Sequence, residues 1–140
     1  MTIEWNQGTP TSTVFDDIYF SLDDGIRETQ FVFIDNNFLS ERFSQANQKK
    51  FVVAETGFGT GLNFLVAWKH WKKHSLNSDS FTFISVEKFP LSAEEVHKAI
   101  SIWPQLQIEA SQLLSQYPSI KTGRHHLTFE SGDVNLILIF

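Results

Sequence analysis

The stretch that most constrains this 140-residue chain is an apolar run at residues 51–54 that leads into an acid and three alternating glycines. These residues read Glu55-Thr56-Gly57-Phe58-Gly59-Thr60-Gly61. Glycine at every second position is costly in a helix or a strand, because glycine loses the most conformational freedom on folding. We therefore predict a strand, a tight turn that lies close to a ligand, and then the first turn of a helix.

Three kinds of glycine loop could produce this run, and their spacing distinguishes them. A dinucleotide-binding G-x-G-x-x-G loop would need glycine at position 62, where Leu62 stands. A phosphate-binding loop needs a lysine just after its glycines, and the first one here is Lys69. The E-x-G-x-G-x-G loop of Rossmann-like S-adenosylmethionine methyltransferases is matched by Glu55, Gly57, Gly59 and Gly61. The alternative is a glycine-rich turn that only joins a strand to a helix.

A second acid stands where the next strand is predicted to end. Glu87 follows the apolar run at residues 81–86, as Glu55 follows residues 51–54. The carboxyl ends of parallel strands form the ligand-binding edge of an open α/β sheet. A carboxylate there can accept the hydroxyl protons of a ribose, so the pair indicates a nucleoside-containing cofactor. An acid near a helix start with no ligand is the other interpretation of Glu87.

Composition and charge limit the class of protein. The chain has no cysteine, which excludes disulfides and cysteine-ligated metals, and its fourteen phenylalanines and four tryptophans predict an aromatic core. The first residues do not resemble a signal peptide, and no apolar run reaches the roughly 18 residues of a membrane span. We expect a cytoplasmic protein. The net charge of -5 argues against a dedicated nucleic-acid-binding domain, but not against a local basic face.

The first part of the chain, residues 1–46, is predicted to be a β-hairpin extension. Asp24-Gly25 separates two aromatic and β-branched runs, residues 15–21 and 26–34, and favours a tight turn between two strands. A short helix is predicted at residues 38–43, with Leu39 and Phe43 buried. A polar connector at residues 44–50 follows.

Residues 47–140 are predicted to form the first half of a Rossmann-like methyltransferase domain. Strands at 51–54, covered on both faces, and at 81–87 alternate with helices at 61–74 and 105–116, and Ser92 with Glu95 has capping-box spacing at another helix start. A hairpin at 124–140 ends in an apolar strand. This order predicts an α/β fold with a parallel sheet that is incomplete at its C-terminus.

Two further groups of side chains could bear chemistry. The predicted helix at 61–74 carries three lysines and two histidines, which could form an RNA-phosphate face or, more commonly, a solvated surface. His125-His126 lies in a predicted strand, so the two rings point to opposite faces and cannot easily share one metal. We expect no metal site.

The glycine loop and the segments around it resemble a specific family. The chain is similar to the N-terminal methyltransferase domain of the bacterial bifunctional tRNA-modifying MnmC family. The similarity lies in residues 15–21, 24–29, 32–33 and 37–42, in the string Gly57-Phe58-Gly59-Thr60-Gly61-Leu62-Asn63-Phe64, and in Glu87-Lys88-Phe89-Pro90-Leu91. The resemblance covers most of residues 9–140. It implies methyl transfer from S-adenosylmethionine to the 5-aminomethyl group of the wobble 2-thiouridine of certain tRNAs. FAD serves an oxidoreductase domain of the family that this chain does not contain.

The resemblance also implies roles for individual residues. Gly57, Gly59 and Gly61 would place the cofactor, Glu87 would hold its ribose, and Glu55 would orient the loop or the cofactor ammonium group. The other candidates for the pocket wall are Phe58, Asn63, Tyr19 and Phe20. The family's segment near the adenine and its catalytic aspartate would both lie beyond Phe140, so this chain would keep half of the cofactor pocket and lack the catalytic base.

Two alternatives stay open. The chain could be a catalytically inactive fragment that retains only part of a cofactor-binding domain. A dehydrogenase-like nucleotide domain is disfavoured by Leu62 and would require NAD to bind in preference to the sulfonium compound.

Overall fold

The computed structural model describes residues 3–45, 50–75 and 80–140. Most of the polar connector predicted at 44–50, and with it the predicted domain boundary, lies outside the described residues. Among the described residues, no helix is both long enough and apolar enough to cross a membrane.

The chain begins with a small antiparallel sheet of three strands. Strand β1 (Ile3–Asn6) pairs with β2 (Thr9–Ser12), which pairs with β3 (Asp17–Ile18). The turn between β1 and β2 is made by Gln7 and Gly8, both at positive φ. Positive φ at both central residues gives a two-residue turn the twist that a hairpin needs.

The hairpin predicted around Asp24-Gly25 is wrong. Residues 25–29 form helix α1 (Gly25–Thr29), and a π-helical segment (Gln30–Asp35) continues it in place of the predicted second strand. Of residues 15–21, only Asp17–Ile18 is a strand. The buried positions explain the helix, because Gly25 and Thr29 are four residues apart and lie on one helical face. Packing on that face prevailed over the β-favouring composition of the segment.

Helix α2 (Leu39–Ser44) confirms the short predicted helix, and its Leu39 and Phe43 are buried as expected. It starts after Phe38, which has a left-handed backbone with φ of 53°. The ring of Phe43 packs edge-on against Phe51, at 4.8 Å between centroids, and so joins α2 to the main sheet.

The main sheet has four strands in the order β4-β5-β7-β6. Strands β4 (Lys50–Thr56), β5 (Ser80–Val86) and β7 (Val134–Ile139) run parallel, and β6 (Arg124–Phe129) pairs antiparallel with β7. The predicted terminal hairpin and both predicted parallel strands are therefore confirmed. The register aligns Glu55 with Ser85, so the two strand ends that carry acids lie side by side.

Strand β4 is not covered on both faces, contrary to the prediction. Phe51 is buried, but the next residue, Val52, is 50% exposed, and exposure alternates along the strand. Side chains alternate between the two faces of a strand, so this pattern means that one face packs on the core and the other is open. The apolar composition of residues 51–54 did not reveal this difference.

The connections between the parallel strands contain helices. Helix α3 (Leu62–His74) confirms the helix predicted at 61–74; it joins β4 to β5 and buries Leu62, Leu65, Val66 and Trp68. Helices α4 (Ala93–Ile100) and α5 (Gln107–Gln116) lie between β5 and β6, with a 3₁₀ turn (Pro104–Leu106) before α5. The core is aromatic. Phe64 packs against Trp68, Phe83 and Phe129 at centroid distances of 5.5, 5.3 and 5.9 Å.

Helix α4 also anchors the N-terminal sheet. The predicted capping box is present, since Ser92 Oγ accepts the Glu95 amide proton and the Glu95 carboxylate accepts the Ser92 amide proton. The other Glu95 oxygen accepts the amide proton of Ile3 at 3.2 Å. Lys98 places its amine 4.3 Å from the ring centroid of Trp5. These contacts fix β1 against α4. They bring residues 12–20 to the edge of the main sheet where Glu55 and Glu87 lie.

Candidate functional site

A cavity of about 590 Å³ opens at the carboxyl ends of β4 and β5. Its walls come from three stretches that are distant in sequence: residues 12–29, the glycine loop, and residues 86–89. Its volume lies within the range of small-molecule sites. The floor is formed by Phe20, Phe58, Thr60 and Leu62, which are all buried, whereas the mouth carries Phe15 and Ile18, which are more than half exposed.

The glycine loop has the backbone that its sequence predicts. Gly57, Gly59 and Gly61 all have positive φ, at 82°, 54° and 83°. A Cβ on Gly57 would meet nothing within 4 Å, so the loop leaves open space beside that residue. A Cβ on Gly61 would lie 2.8 Å from the ring of Phe58. Gly57 therefore keeps the cavity open, and Gly61 allows Phe58 to pack beneath the start of α3.

Glu87 connects the glycine loop to the segment after β5. One carboxylate oxygen accepts the amide proton of Gly59 at 3.0 Å, and the other accepts that of Phe89 at 2.8 Å. The amide of Gly57 donates to the carbonyl of Val86 at 2.7 Å and closes the same junction. Glu87 thus lies in the cavity wall beside the glycine loop, with a backbone amide donating to each of its two carboxylate oxygens.

Glu55 lies behind the loop, in a chain of side-chain hydrogen bonds. Its two oxygens accept from Asn63 Nδ2 and Ser85 Oγ, each at 3.0 Å, and Asn63 Oδ1 accepts from Thr29 Oγ1 at 3.1 Å. Burial raises the pKa of the Glu55 carboxyl to about 7, and the two hydrogen bonds to it oppose that rise. The chain of contacts links β4, β5, α3 and α1 and sets the position of Asn63 at the cavity.

Five of the seven residues predicted to bind a cofactor line the cavity, namely Gly57, Phe58, Gly59, Asn63 and Glu87. Glu55 and Gly61 do not line it; they support the residues that do. The candidate wall residues Tyr19 and Phe20 line the cavity as well. The ring of Tyr19 lies 3.3 Å from where a Cβ on Gly59 would stand, and burial raises the pKa of its hydroxyl. What these residues bind stays a prediction.

The sequence interpretation missed the contribution of residues 12–18 and of α1. Ser12, Phe15, Asp17 and Ile18 line the cavity, and so do Glu28 and Thr29. A hairpin would have carried Glu28 and Thr29 away from the glycine loop. The four-residue spacing of Gly25 and Thr29 was the available signal for a helix, but nothing local indicated which partner its buried face would meet.

Acidic side chains predominate in the cavity. Asp17, Glu28 and Glu87 line it, whereas Lys88 is the one basic residue among the described residues of its wall. Three acids against one lysine give a formal charge of about -2 before any ligand binds. Such a wall attracts a cationic ligand and repels a pyrophosphate.

Three of the five basic residues of α3 contact other parts of the protein. Lys72 contacts Glu109 and Glu130 at 3.6 and 3.0 Å, and Lys69 donates to the carbonyl of Gln105. Ser40 Oγ lies 3.1 Å from His70 Nδ1, and burial lowers the pKa of that ring. A continuous phosphate-binding face on this helix is therefore not supported.

The paired histidines of β6 have separate contacts. His125 Nε2 lies 2.7 Å from the carbonyl of Lys121, and His126 Nε2 lies 2.9 Å from Asn135 Oδ1. Within residues 3–45, 50–75 and 80–140 there is no group of three or more side chains placed to hold a metal ion. The absence of a metal from this protein stays an expectation.

The chain was compared with known proteins. A scan against protein-family models found no match. Among curated proteins it is 43% identical over 138 residues to the tRNA 5-methylaminomethyl-2-thiouridine biosynthesis bifunctional protein MnmC of Methylobacillus flagellatus. It is 42% and 44% identical to the proteins of the same name from Pseudomonas fluorescens and Aliivibrio fischeri. These alignments cover 98–99% of this chain and 21% of each relative, so the chain spans about one fifth of their length.

A solved structure shares the fold. The chain titled "Crystal structure of MNMC2 from Aquifex Aeolicus" superposes with a TM-score of 0.67 and 22% sequence identity, over 98% of this chain and 41% of that one. The α/β architecture with its mixed sheet is therefore confirmed. The resemblance inferred from the glycine loop and its surroundings is confirmed by the sequence matches as well. The chain is thus related, over nearly its whole length, to a segment of the MnmC bifunctional proteins.

Proposed function

We propose that this chain binds S-adenosylmethionine in the cavity and supplies the cofactor part of an enzyme that methylates the 5-aminomethyl group of wobble 2-thiouridine in tRNA. The observation that carries the proposal is the glycine loop at positive φ beside Glu87, at the carboxyl ends of two parallel strands. The names of the relatives, which are tRNA 5-methylaminomethyl-2-thiouridine biosynthesis proteins, support the substrate.

The cavity suits this cofactor in size and charge. Its volume of about 590 Å³ accommodates a nucleoside with an amino-acid tail, and the open space beside Gly57 allows a ligand to approach the backbone. S-adenosylmethionine is cationic at its sulfonium, which agrees with a wall that contains Asp17, Glu28 and Glu87. A dinucleotide would bring a pyrophosphate against the same acids, which disfavours the dehydrogenase alternative.

S-adenosylmethionine supplies an electrophilic methyl group. The residues of this chain bind and orient the cofactor. Glu87 accepts hydrogen bonds from the ribose hydroxyls, and the loop around Gly57 and Gly59 lies along the ligand. Asn63, at the cavity, is held in place by Glu55 and Thr29. Positioning of reactants accounts for much of the barrier reduction in such displacements.

Titration of S-adenosylhomocysteine into the chain, followed by calorimetry, tests the proposal. We expect one binding site and a loss of affinity of about 10- to 100-fold in Glu87→Ala, since hydrogen bonds to a charged group are worth about 1.5–3 kcal/mol. Glu94→Ala is the matched control, because Glu94 is exposed on α4 and does not line the cavity. Absence of binding to the unmodified chain would refute the proposal.

A methylation assay on tRNA that carries the aminomethyl group separates cofactor binding from turnover. Binding without turnover in this chain would favour the alternative of an inactive fragment. Turnover by the 140 residues alone would instead show that the methyl-transfer machinery lies within them.

A further inference from the structure

Two aromatic rings stand at the cavity mouth, and neither belongs to the hydrophobic core. Phe15 lies between β2 and β3 and is 62% exposed, and Phe89 lies two residues after Glu87 and is partly buried. Their centroids are 5.4 Å apart at an interplanar angle of 65°. We call Phe15 and Phe89 the mouth pair. Ile18, which is 51% exposed, lines the same cavity, and an exposed apolar patch beside a cavity invites a functional explanation.

The backbone on each side of the mouth pair is held in place. Ser12 is buried, and its Oγ accepts the amide protons of Val14 and Phe15, each at 3.3 Å. The carbonyl of Ser12 accepts the amide proton of Asp16 at 2.9 Å. On the other side, Glu87 accepts the amide proton of Phe89. The two rings are thus presented on a preorganised backbone, as binding groups usually are.

The surrounding charges exclude phosphates from the cavity interior but allow a nucleobase to enter it. Lys88 places its amine 5.2 Å from the ring centroid of Phe89, while Asp17 and Glu28 line the same cavity. These acids repel phosphates from the interior, whereas one lysine at the rim can meet a single phosphate. A nucleobase that leaves its strand and enters alone satisfies both conditions, and proteins commonly recognise single-stranded RNA by stacking such bases on aromatic rings.

We infer that the mouth pair is the stacking platform for the nucleobase of the substrate RNA, with Lys88 at its flanking phosphate. This inference rests on the proposed function, because it takes the substrate to be tRNA. The adenine of the cofactor is the other base that could stack here, and the experiment distinguishes the two.

The test measures two ligands on the same variants. A fluorescein-labelled anticodon stem-loop RNA is titrated with the chain, and S-adenosylhomocysteine binding is measured by calorimetry. We expect Phe15→Ala to weaken RNA binding by about 5- to 100-fold, the equivalent of one base stack, and to change the affinity for S-adenosylhomocysteine by less than about twofold. Phe15→Trp should restore RNA binding.

Phe31→Ala is the matched control. Phe31 is also 62% exposed but lies on the π-helical segment outside the cavity, so its loss should leave RNA binding unchanged. A second readout uses a stem-loop with 5-iodouridine at the wobble position, which should photo-cross-link to the peptide that contains Phe15 or Phe89. Because the mouth pair is outside the core, Phe15→Ala should unfold at the wild-type temperature, and this is verified for each variant.

Three outcomes would overturn the inference: a Phe15→Ala variant that binds RNA as the wild type does, one that loses S-adenosylhomocysteine as well, or a wild-type chain that neither binds nor cross-links the stem-loop. The first leaves the proposed function intact if S-adenosylhomocysteine still binds. Failure of S-adenosylhomocysteine to bind the wild type counts against the proposed function, whatever the RNA result.

Discussion

Glu55 has the most unusual environment of any single side chain at this site. It ends β4, accepts hydrogen bonds from Asn63 and Ser85, and has a pKa raised to about 7 by burial, from an ordinary value of 4.5. Between these two pKa values the folded chain holds a proton that the unfolded chain has lost. The contribution of Glu55 to stability therefore falls as the pH rises from about 4.5 to about 7, and its full loss is present above that range.

Replacement of Glu55 by Gln should remove this loss. The amide oxygen can accept from Asn63, and the amide nitrogen can donate to the hydroxyl of Ser85, so the contacts have a neutral equivalent. Between about pH 4 and about pH 8, the unfolding free energy of the variant should rise relative to the wild type by about 3 kcal/mol. Urea unfolding at both pH values measures the difference. Exposed Glu41, replaced by Gln in the same way, is the control.

The opposite trend, in which Glu55→Gln loses stability relative to the wild type as the pH rises, would mean that the ionised carboxylate is the favoured form in the folded chain. The sequence predicted that Glu55 ends a strand, because an apolar run precedes it. Its partner Ser85 was not predicted, and neither was the contact of Thr29 with Asn63, because each of these hydrogen bonds joins residues at least 30 positions apart.

At the scale of the element, the glycine loop offers a matched pair of substitutions. Gly57 and Gly61 have nearly the same φ, at 82° and 83°, so alanine is strained equally at both, by about 1–2 kcal/mol. Only at Gly61 would the new Cβ also meet Phe58, at 2.8 Å, and Leu113, at 3.3 Å. Overpacking of a buried ring costs a further 1–3 kcal/mol or so.

We therefore expect Gly61→Ala to lower the unfolding free energy by about 2–5 kcal/mol, and Gly57→Ala by about 1–2 kcal/mol. Chemical denaturation of the two variants and the wild type measures both values. Equal losses would show that Phe58 moves aside at little cost and that Gly61 is needed for its backbone angle alone.

Elements were predicted well where the local pattern and the tertiary packing agree. The strands β5, β6 and β7 and the helices α3 and α5 follow their apolar periodicity, and the capping box at Ser92 marks the start of α4. The prediction for residues 25–35 was wrong because Asp24-Gly25 is a strong local hairpin signal. In the fold, burial of Gly25 against Phe20 and Trp103 favours a helix instead. The contact with Trp103 joins residues almost 80 positions apart, so no local window of the sequence contains it.

At the scale of the whole molecule, the candidate site depends on segments that only the fold brings together. The glycine loop and Glu87 could be predicted, because a βαβ order places successive strand ends side by side. The opposite wall, with Phe15 and Glu28, could not, since it depends on how β1 docks on α4 through the contact of Glu95 with Ile3. Phe15, one of the two rings proposed to meet the RNA, therefore belongs to the part of the site that the sequence did not reveal.

A charged cluster away from the cavity also joins elements that are distant in sequence, namely α3, α5 and the turn between β6 and β7. Lys72 on α3 lies 3.0 Å from Glu130, in the turn between β6 and β7, and 3.6 Å from Glu109 on α5, whose side chain is only 6% exposed. Trp68 Nε1 donates to Glu130 at 3.2 Å. Hydrogen bonding to Glu130 raises the pKa of the Lys72 amine, so this lysine stays charged at neutral pH. It is the cation that balances the buried Glu109.

Replacement of Lys72 by Met should leave Glu109 as a buried charge without its cation and destabilise the fold by about 1–3 kcal/mol. Lys72 is itself 38% exposed, so solvent screening places the expected loss below that of a fully buried pair. Lys73→Met, on the exposed neighbour, is the control.

If the cost comes from the unpaired carboxylate, the double variant Lys72→Met/Glu109→Gln should recover most of the loss in urea unfolding. A Lys72→Met variant no less stable than Lys73→Met would mean that water already satisfies Glu109 and that α3, α5 and the β6–β7 turn are held together by their apolar contacts alone.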